Sequence, residues 1–202
     1  MNTRDRTPLQ DGLTPEQGML PGAARDRQSI TLDWQPKQDL IEGILVKEVR
    51  NVAKDNGYLT ELWRVDWALP GATIAQVFQA SIEVGGISAW HVHQHATDRL
   101  FANLGFLKVV LYDARASSRT MGRVNVLRCG TTRPMLIVVP PGVWHGVQNV
   151  GSTTALLMNM PDHAYHYESP DHWRLPHDTT EIPYSFSRGA RPNSDDPATS
   201  SV

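Results

Sequence analysis

Between Ile41 and Met160 the apolar positions fall into short runs cut by turn signals, with no long stretch at the three-four spacing of an amphipathic helix. Ile41–Val49 opens the ordered part with Ile41, Ile44, Leu45, Val46 and Val49. Lys54-Asp55-Asn56-Gly57 is a turn signal, because Asn-Gly accepts positive φ cheaply. Tyr58–Val65 reads as a strand or a short irregular segment, and Pro70-Gly71 as a further turn. Thr73–Val84 alternates in part, Gly85-Gly86 breaks it, and Trp90–His95 and Arg99–Leu104 resume the pattern. Phe106–Tyr112 is rich in β-branched and aromatic residues, which suit a pleated surface. Val124–Leu127, Met135–Val139, Val143–Val150 and Ala155–Met160 complete the strands, separated by the polar loop Asp113–Gly122 and the turn Gly151-Ser152. Short strands at this spacing predict an all-β sandwich or barrel. Residues 1–38, with scattered Pro, Gly and charge, predict a mobile arm, residues 39–186 the folded domain, and residues 187–202 a disordered tail. Asp162–His177, rich in His, Tyr, Asp and Pro, predicts short helical turns near the C-terminus, lying over the barrel.

Composition narrows the function classes. The chain of 202 residues is long enough for one domain with a substantial core. A net charge of -2 argues against nucleic acid or an anionic membrane as the main partner. The single cysteine, Cys129, excludes an internal disulfide and fits a reducing compartment. No signal-peptide core and no bilayer-length apolar run are visible, so the expected location is cytoplasmic and the expected partner a small-molecule substrate.

The chemistry concentrates in two stretches. His91, His93 and His95 are spaced by two, which in a strand points all three to one face. Asp98 follows, and His145 comes after the Pro141-Gly142 turn. His91, His93, Asp98 and His145 together could ligate a divalent metal ion such as Fe, Mn, Zn, Ni or Cu. The plainer alternative is a set of hydrogen-bonded barrel histidines, with Asp98 a turn carboxylate and His95 at the rim.

These stretches resemble the paired motifs of the cupin superfamily. Gly86, His91, His93, Asp98 and Gly105 match the first motif, with Asp98 in place of the usual Glu. Pro140, Gly142, His145 and Asn149 match the second, while Pro134 stands at its leading Gly position. The resemblance implies a double-stranded β-helix, a jelly-roll barrel with a site inside its mouth.

From about Ile41 to Phe186 the chain also resembles the dTDP-4-dehydrorhamnose 3,5-epimerases, an RmlC-like branch of the cupins. The blocks concerned are Gly57–Glu61, Gly85–His91, Leu104–Arg115, Val139–Gly146, Tyr167–Pro170 and Asp178–Pro183. That family removes a proton beside a ketone on a nucleotide-linked sugar. A His is the base, an Asp orients it, a Lys steadies the enolate and a Tyr returns the proton. Carried over by position, the base is His91, the second pocket histidine His145 and the orienting carboxylate Asp178. Asp98 falls at the Lys position, Met158 at the Tyr position, and Asn56 and Ser88 at two phosphate-clamping Arg positions. Glu61, Gln76, Trp90, His95 and Met158 are the candidate substrate-binding residues. The resemblance also implies a homodimer paired through the Ile41–Val49 strand. The expectation is a metal-binding epimerase or isomerase that enolises a nucleotide-sugar or related keto compound, the metal taking over the role of the lysine. A metal-dependent cupin of another reaction (oxygenase, decarboxylase or small-acid isomerase) and a non-catalytic ligand-binding cupin are the alternatives.

Overall fold

The computed structural model describes residues 20, 24–25, 28–33, 36–71 and 73–186. The chain divides into two compact units, residues 39–196 and residues 1–38 with 197–202. The second of these is described only in part. There Ile30 bridges Pro36, and Lys37 N donates to Ser29 O at 2.8 Å. Most of the arm predicted over 1–38, and all of the tail predicted over 187–202, lie outside the described residues.

The larger unit is built from β1 (Leu45–Glu48), β2 (Asn51–Lys54), β3 (Gly57–Thr60), β4 (Phe78–Ile82), β5 (Ile87–Val92) and β6 (Asp98–Leu104). It continues with β7 (Phe106–Asp113), β8 (Val124–Gly130), β9 (Met135–Val139), β10 (Val143–Asn149), β11 (Ala155–Asn159) and β12 (Trp173–Arg174). Two five-stranded antiparallel sheets form, ordered β1-β9-β6-β11-β4 and β12-β5-β10-β7-β8. This is the jelly-roll, in which strands adjacent in sequence often belong to opposite sheets. Period-two alternation sends Leu107, Val109 and Leu111 of β7 and Met135, Ile137 and Val139 of β9 into the shared core. The outer face of the second sheet is covered by the C-terminal segment, whose Ile182 and Phe186 pack on Trp90 and Val110. Outside the first sheet, Phe101, Leu136 and Met160 pack against the connection after β3, through Leu62, Trp63, Trp67 and Leu69.

Three expectations change in detail. The Ile41–Val49 strand narrows to β1, which pairs with β9 of the same chain and lies at a sheet edge. Tyr58–Val65 keeps strand geometry only to Thr60, and Val65–Trp67 is a single 3-10 turn. The helical turns predicted over Asp162–His177 are bends, turns and the two-residue β12. Backbone pairing with β5 and side-chain links to the barrel hold this segment extended. No described helix is long and apolar enough to cross a membrane.

Candidate functional site

The barrel encloses a cavity of about 510 Å³, within the range that small-molecule ligands occupy. Phe78, Ala80, Leu100 and Leu157 give it an apolar wall. Seven of the eight histidines line it: His91, His93, His95, His145, His163, His166 and His172.

Backbone register explains how β5 loads this cavity. His145 stands opposite His91 while Val147 stands opposite Ser88, so β5 has one residue more than β10 across the stretch. The extra residue is a β-bulge, which re-aims side chains beside it. Ala89 and Trp90 both face outward, and Ser88 and His91 both face the cavity, with Ser88 Oγ 3.1 Å from His91 Nε2.

Three donor atoms converge in the interior. Asp98 Oδ2 lies 3.2 Å from His93 Nε2 and 3.2 Å from His145 Nε2. Each side chain is fixed from behind. The carbonyl of Asp171 stands 2.5 Å from His93 Nδ1, and that of Val143 3.2 Å from His145 Nδ1. Asn159 Nδ2 donates to Asp98 Oδ1 at 2.8 Å. A carbonyl oxygen only accepts, so both Nδ1 atoms carry the hydrogen. In the neutral rings both Nε2 atoms then present lone pairs toward a carboxylate oxygen that is buried without a well-aligned hydrogen bond. The three atoms lie within 4.8 Å of one another. Lone pairs converging in a dry interior repel unless a proton or another cation joins them. Burial opposes ionisation of Asp98, yet the hydrogen-bonding and charge of His145 and His93 hold it far below the usual carboxylate range. His93 shows the reciprocal effect: burial lowers it, but Asp98 outweighs burial and raises it. The donor set suits a divalent ion, and backbone hydrogen bonds on the far ring nitrogens are how metal-ligating histidines are oriented.

His91 stands beside this cluster with its ring turned elsewhere. Its Nδ1 is 2.8 Å from His172 Nε2, and its ring centroid is 5.9 Å from that of His145. Burial, then the neighbouring His145, His172 and Arg174, push it down to about 3. Burial, then His93 and Arg174, push His172 down to about 4. Both rings are therefore neutral near pH 7. The loop after β5 is clamped by the C-terminal segment. Asp171 accepts from the N–H groups of Gln94, His95 and Ala96 at 2.7, 2.8 and 3.2 Å, and Asp162 accepts from Thr97 N at 2.7 Å.

Of the residues singled out from sequence, His91, His93, Asp98, His145, His95 and Gln76 line the cavity. Four others do not. Trp90 is 0% exposed on the opposite face of β5, where alternation from His91 sends it. Met158 packs with Phe101, Leu136 and Met160 outside the first sheet, and its neighbours Leu157 and Asn159 face inward instead. A one-residue offset in a strand moves a side chain to the other face. Glu61 is exposed and ion-paired with Arg64 at 2.9 Å. Asp178 lies in a separate depression with Thr179, Ile182 and Tyr184. Conversely, Asn159, Tyr165, His172 and Arg174 line the cavity and were not picked out. The density of His and Tyr after Pro161 was the available signal for two of them; Asn159 had none.

No family model matches the chain. It is 32% identical over 148 residues to the spore coat polysaccharide biosynthesis protein SpsL of Bacillus subtilis, spanning 73% of this chain and 97% of that protein. It is 30% identical over 139 residues to the probable low-salt glycan biosynthesis epimerase Agl13 of Haloferax volcanii, spanning 68% and 89%. Among solved structures, a dTDP sugar isomerase from Desulfovibrio desulfuricans superposes with a TM-score of 0.69 at 28% identity, over 76% of this chain and 98% of the other. The rmlC epimerase of Mycobacterium tuberculosis, at 18% identity and a TM-score of 0.66 over 81% and 84%, shares the fold.

Proposed function

The chain belongs to the RmlC-like family of sugar epimerases and isomerases, and from that premise we propose that it enolises a ketone-bearing, nucleotide-linked sugar to epimerise or isomerise it. The observation that carries this reading is the pairing of His91 with His172 in the same cavity as the His93–Asp98–His145 cluster. His91 is the base. It takes the proton from the carbon beside the carbonyl, and His172 holds the ring in place as it becomes an imidazolium. With His91 outside the converging cluster, base and ligand no longer compete for one ring. Asp178 has no part in this arrangement. Tyr165, the one tyrosine on the cavity wall among the described residues, returns the proton.

His93, Asp98 and His145 would hold a divalent ion, which when bound supplies a Lewis acid for the carbonyl oxygen where the family's lysine supplies an ammonium. The buried, unsatisfied Asp98 Oδ2 and the inward lone pairs support this fit. NMR of keto-sugar nucleotides in D₂O tests the whole reading. Deuterium should enter beside the carbonyl with holo-protein and slow sharply after chelation. Exchange that ignores chelation would remove the metal from the reading. Oxygen uptake without exchange would move the protein to oxygenase chemistry, which a two-His, one-carboxylate set also suits.

A homodimer belongs to the same reading. β1 lies at a sheet edge, and the β2–β3 hairpin exposes Val52, Tyr58 and Leu59. Light scattering at micromolar concentration should give twice the chain mass; the mass of one chain would refute it.

A further inference from the structure

Asn159 ends β11, where alternation turns Leu157 and Asn159 into the cavity and Met158 away from it. Strand pairing sets it opposite Leu100 of β6 and Phe78 of β4, two residues of the apolar wall. A buried amide in such a place is costly unless both its ends are bonded. Asn159 Oδ1 accepts from Arg99 N at 3.1 Å, and Asn159 Nδ2 donates to Asp98 Oδ1 at 2.8 Å.

The first of these bonds decides the second. A backbone N–H only donates, so the amide oxygen must face Arg99 and the NH₂ must face Asp98. Arg99 is itself held at both ends. Its carbonyl accepts from Met160 N at 3.1 Å, and its guanidinium donates to Met160 O and Pro70 O at 3.2 and 3.1 Å. The amide thus stands on a fixed frame, and turning it over would set its NH₂ against the Arg99 N–H in a buried place.

The NH₂ offers hydrogens and accepts none, so it favours negative charge on Asp98 Oδ1 and opposes a proton there. It also fixes the plane of the carboxylate. Asp98 then meets both rings through Oδ2, 3.2 Å from His93 Nε2 and 3.2 Å from His145 Nε2. Without the amide, the carboxylate could rotate and offer its two oxygens to the two rings separately.

We propose that Asn159 is a positioning residue for the chemistry of the cavity: by occupying Oδ1 it confines the cation that Asp98 shares with His93 and His145, proton or divalent ion, to Oδ2. The inference rests on the reading of that cluster as the part of the cavity that meets the substrate carbonyl. It adds a residue that touches neither substrate nor cation and yet decides where the positive charge sits.

Nitrogen-15 NMR of the histidine rings in the chelated full chain, near neutral pH, tests it. Asn159→Leu is branched like the amide but has no donor. It should shift the Nε2 signals of His93 and His145 and leave those of His91 and His172 in place. Asn159→Ser, whose side chain is too short to bridge both partners, should shift the same two rings. The unmoved His91 and His172 signals, with unchanged circular dichroism, separate a turned carboxylate from a disturbed fold. In a Co²⁺ titration followed by visible absorption, both variants should bind about 10- to 100-fold more weakly than wild type, the usual loss when a partner behind a metal ligand is removed. Ring signals of His93 and His145 that stay in place in both folded variants overturn the proposal. If those signals move but wild type binds no Co²⁺, Asn159 positions Asp98 for a shared proton, and the metal leaves the function reading. If they move but no keto-sugar exchanges its proton in D₂O with wild type, the role of Asn159 stands and the enolisation reading falls.

Discussion

Two buried aspartates, Asp98 at the start of β6 and Asp113 at the end of β7, are 2% and 0% exposed, yet their surroundings differ completely. Asp113 accepts from Arg115 Nε at 2.8 Å and Nη2 at 3.0 Å, from Ser118 Oγ at 2.6 Å and from Thr120 Oγ1 at 2.7 Å. Arg115 Nη2 also donates to Glu42 O at 2.6 Å, which ties the β7–β8 loop to the turn before β1. Every lone pair there meets a donor that the protein supplies permanently. Burial opposes the charge, and these hydrogen bonds overcome it, holding Asp113 well below the usual carboxylate range. Asp98 has one oxygen satisfied by Asn159, while the other meets only the Nε2 atoms of two ionisable imidazoles, each 3.2 Å away. A closed network of this kind stabilises a loop. Two ionisable rings and a carboxylate that converge on a cavity wall leave their protons exchangeable instead.

The comparison can be broken most directly at Asp98. Asp98→Asn should reduce metal content, measured by elemental analysis after reconstitution, from one ion per chain to a small fraction. Keto-sugar exchange should fall at least about 10²-fold, as expected when several kcal/mol of charge stabilisation are lost. Its unfolding free energy should move by less than about 1 kcal/mol, since an amide leaves less unbalanced charge in the apo site. Asp113→Ala should do the opposite. Denaturant unfolding should show a loss of about 3 kcal/mol, the cost of leaving Arg115 half-buried without its partner, with metal content retained. If the two variants exchanged these outcomes, the distinction between clamp and site would be void.

Acid titration sharpens the comparison with a smaller effect. In chelated protein, His91 and His172 are held down to about 3 and about 4 from 6.5. The unfolded chain binds protons at both that the folded chain refuses. Stability should therefore fall as pH drops from about 6.5 toward 4. His93, raised in the folded state, works the other way: its contribution is complete below 6.5 and is lost as pH rises through its folded value. The Asp113 contribution is present above 3.8 and constant across this window. Melting temperatures of wild type and His172→Gln along this range should show a shallower acid slope in the variant. Equal slopes would mean that the His91–His172 pair is not held neutral.

Local pattern carried much of the fold. Short apolar runs between Gly, Pro and Asn signals located most of the strands, because side-chain alternation and turn chemistry act over a few residues. The same logic placed His91 and His93 on one face, and the resemblance to a second motif joined His145 to them; that His145 stands opposite His91 is a finding of the sheet register. It misjudged Met158 because counting residues across a turn does not preserve strand parity. It could not see the bulge that turns Ser88 inward, since a bulge is a property of two paired strands.

What the sequence by itself determined is the barrel, its inward faces and the membership of three histidines and one aspartate in a common mouth. Which of them converge was decided only in three dimensions. Spacing specifies the face from which a side chain leaves; ring direction depends on what lies behind it. The C-terminal segment, arriving about 80 residues later along the chain, places the Asp171 carbonyl behind His93 and His172 against His91. Those two contacts turn one imidazole toward Asp98 and the other away, because a ring nitrogen held by a fixed acceptor or neighbouring ring leaves the second nitrogen only one direction to point.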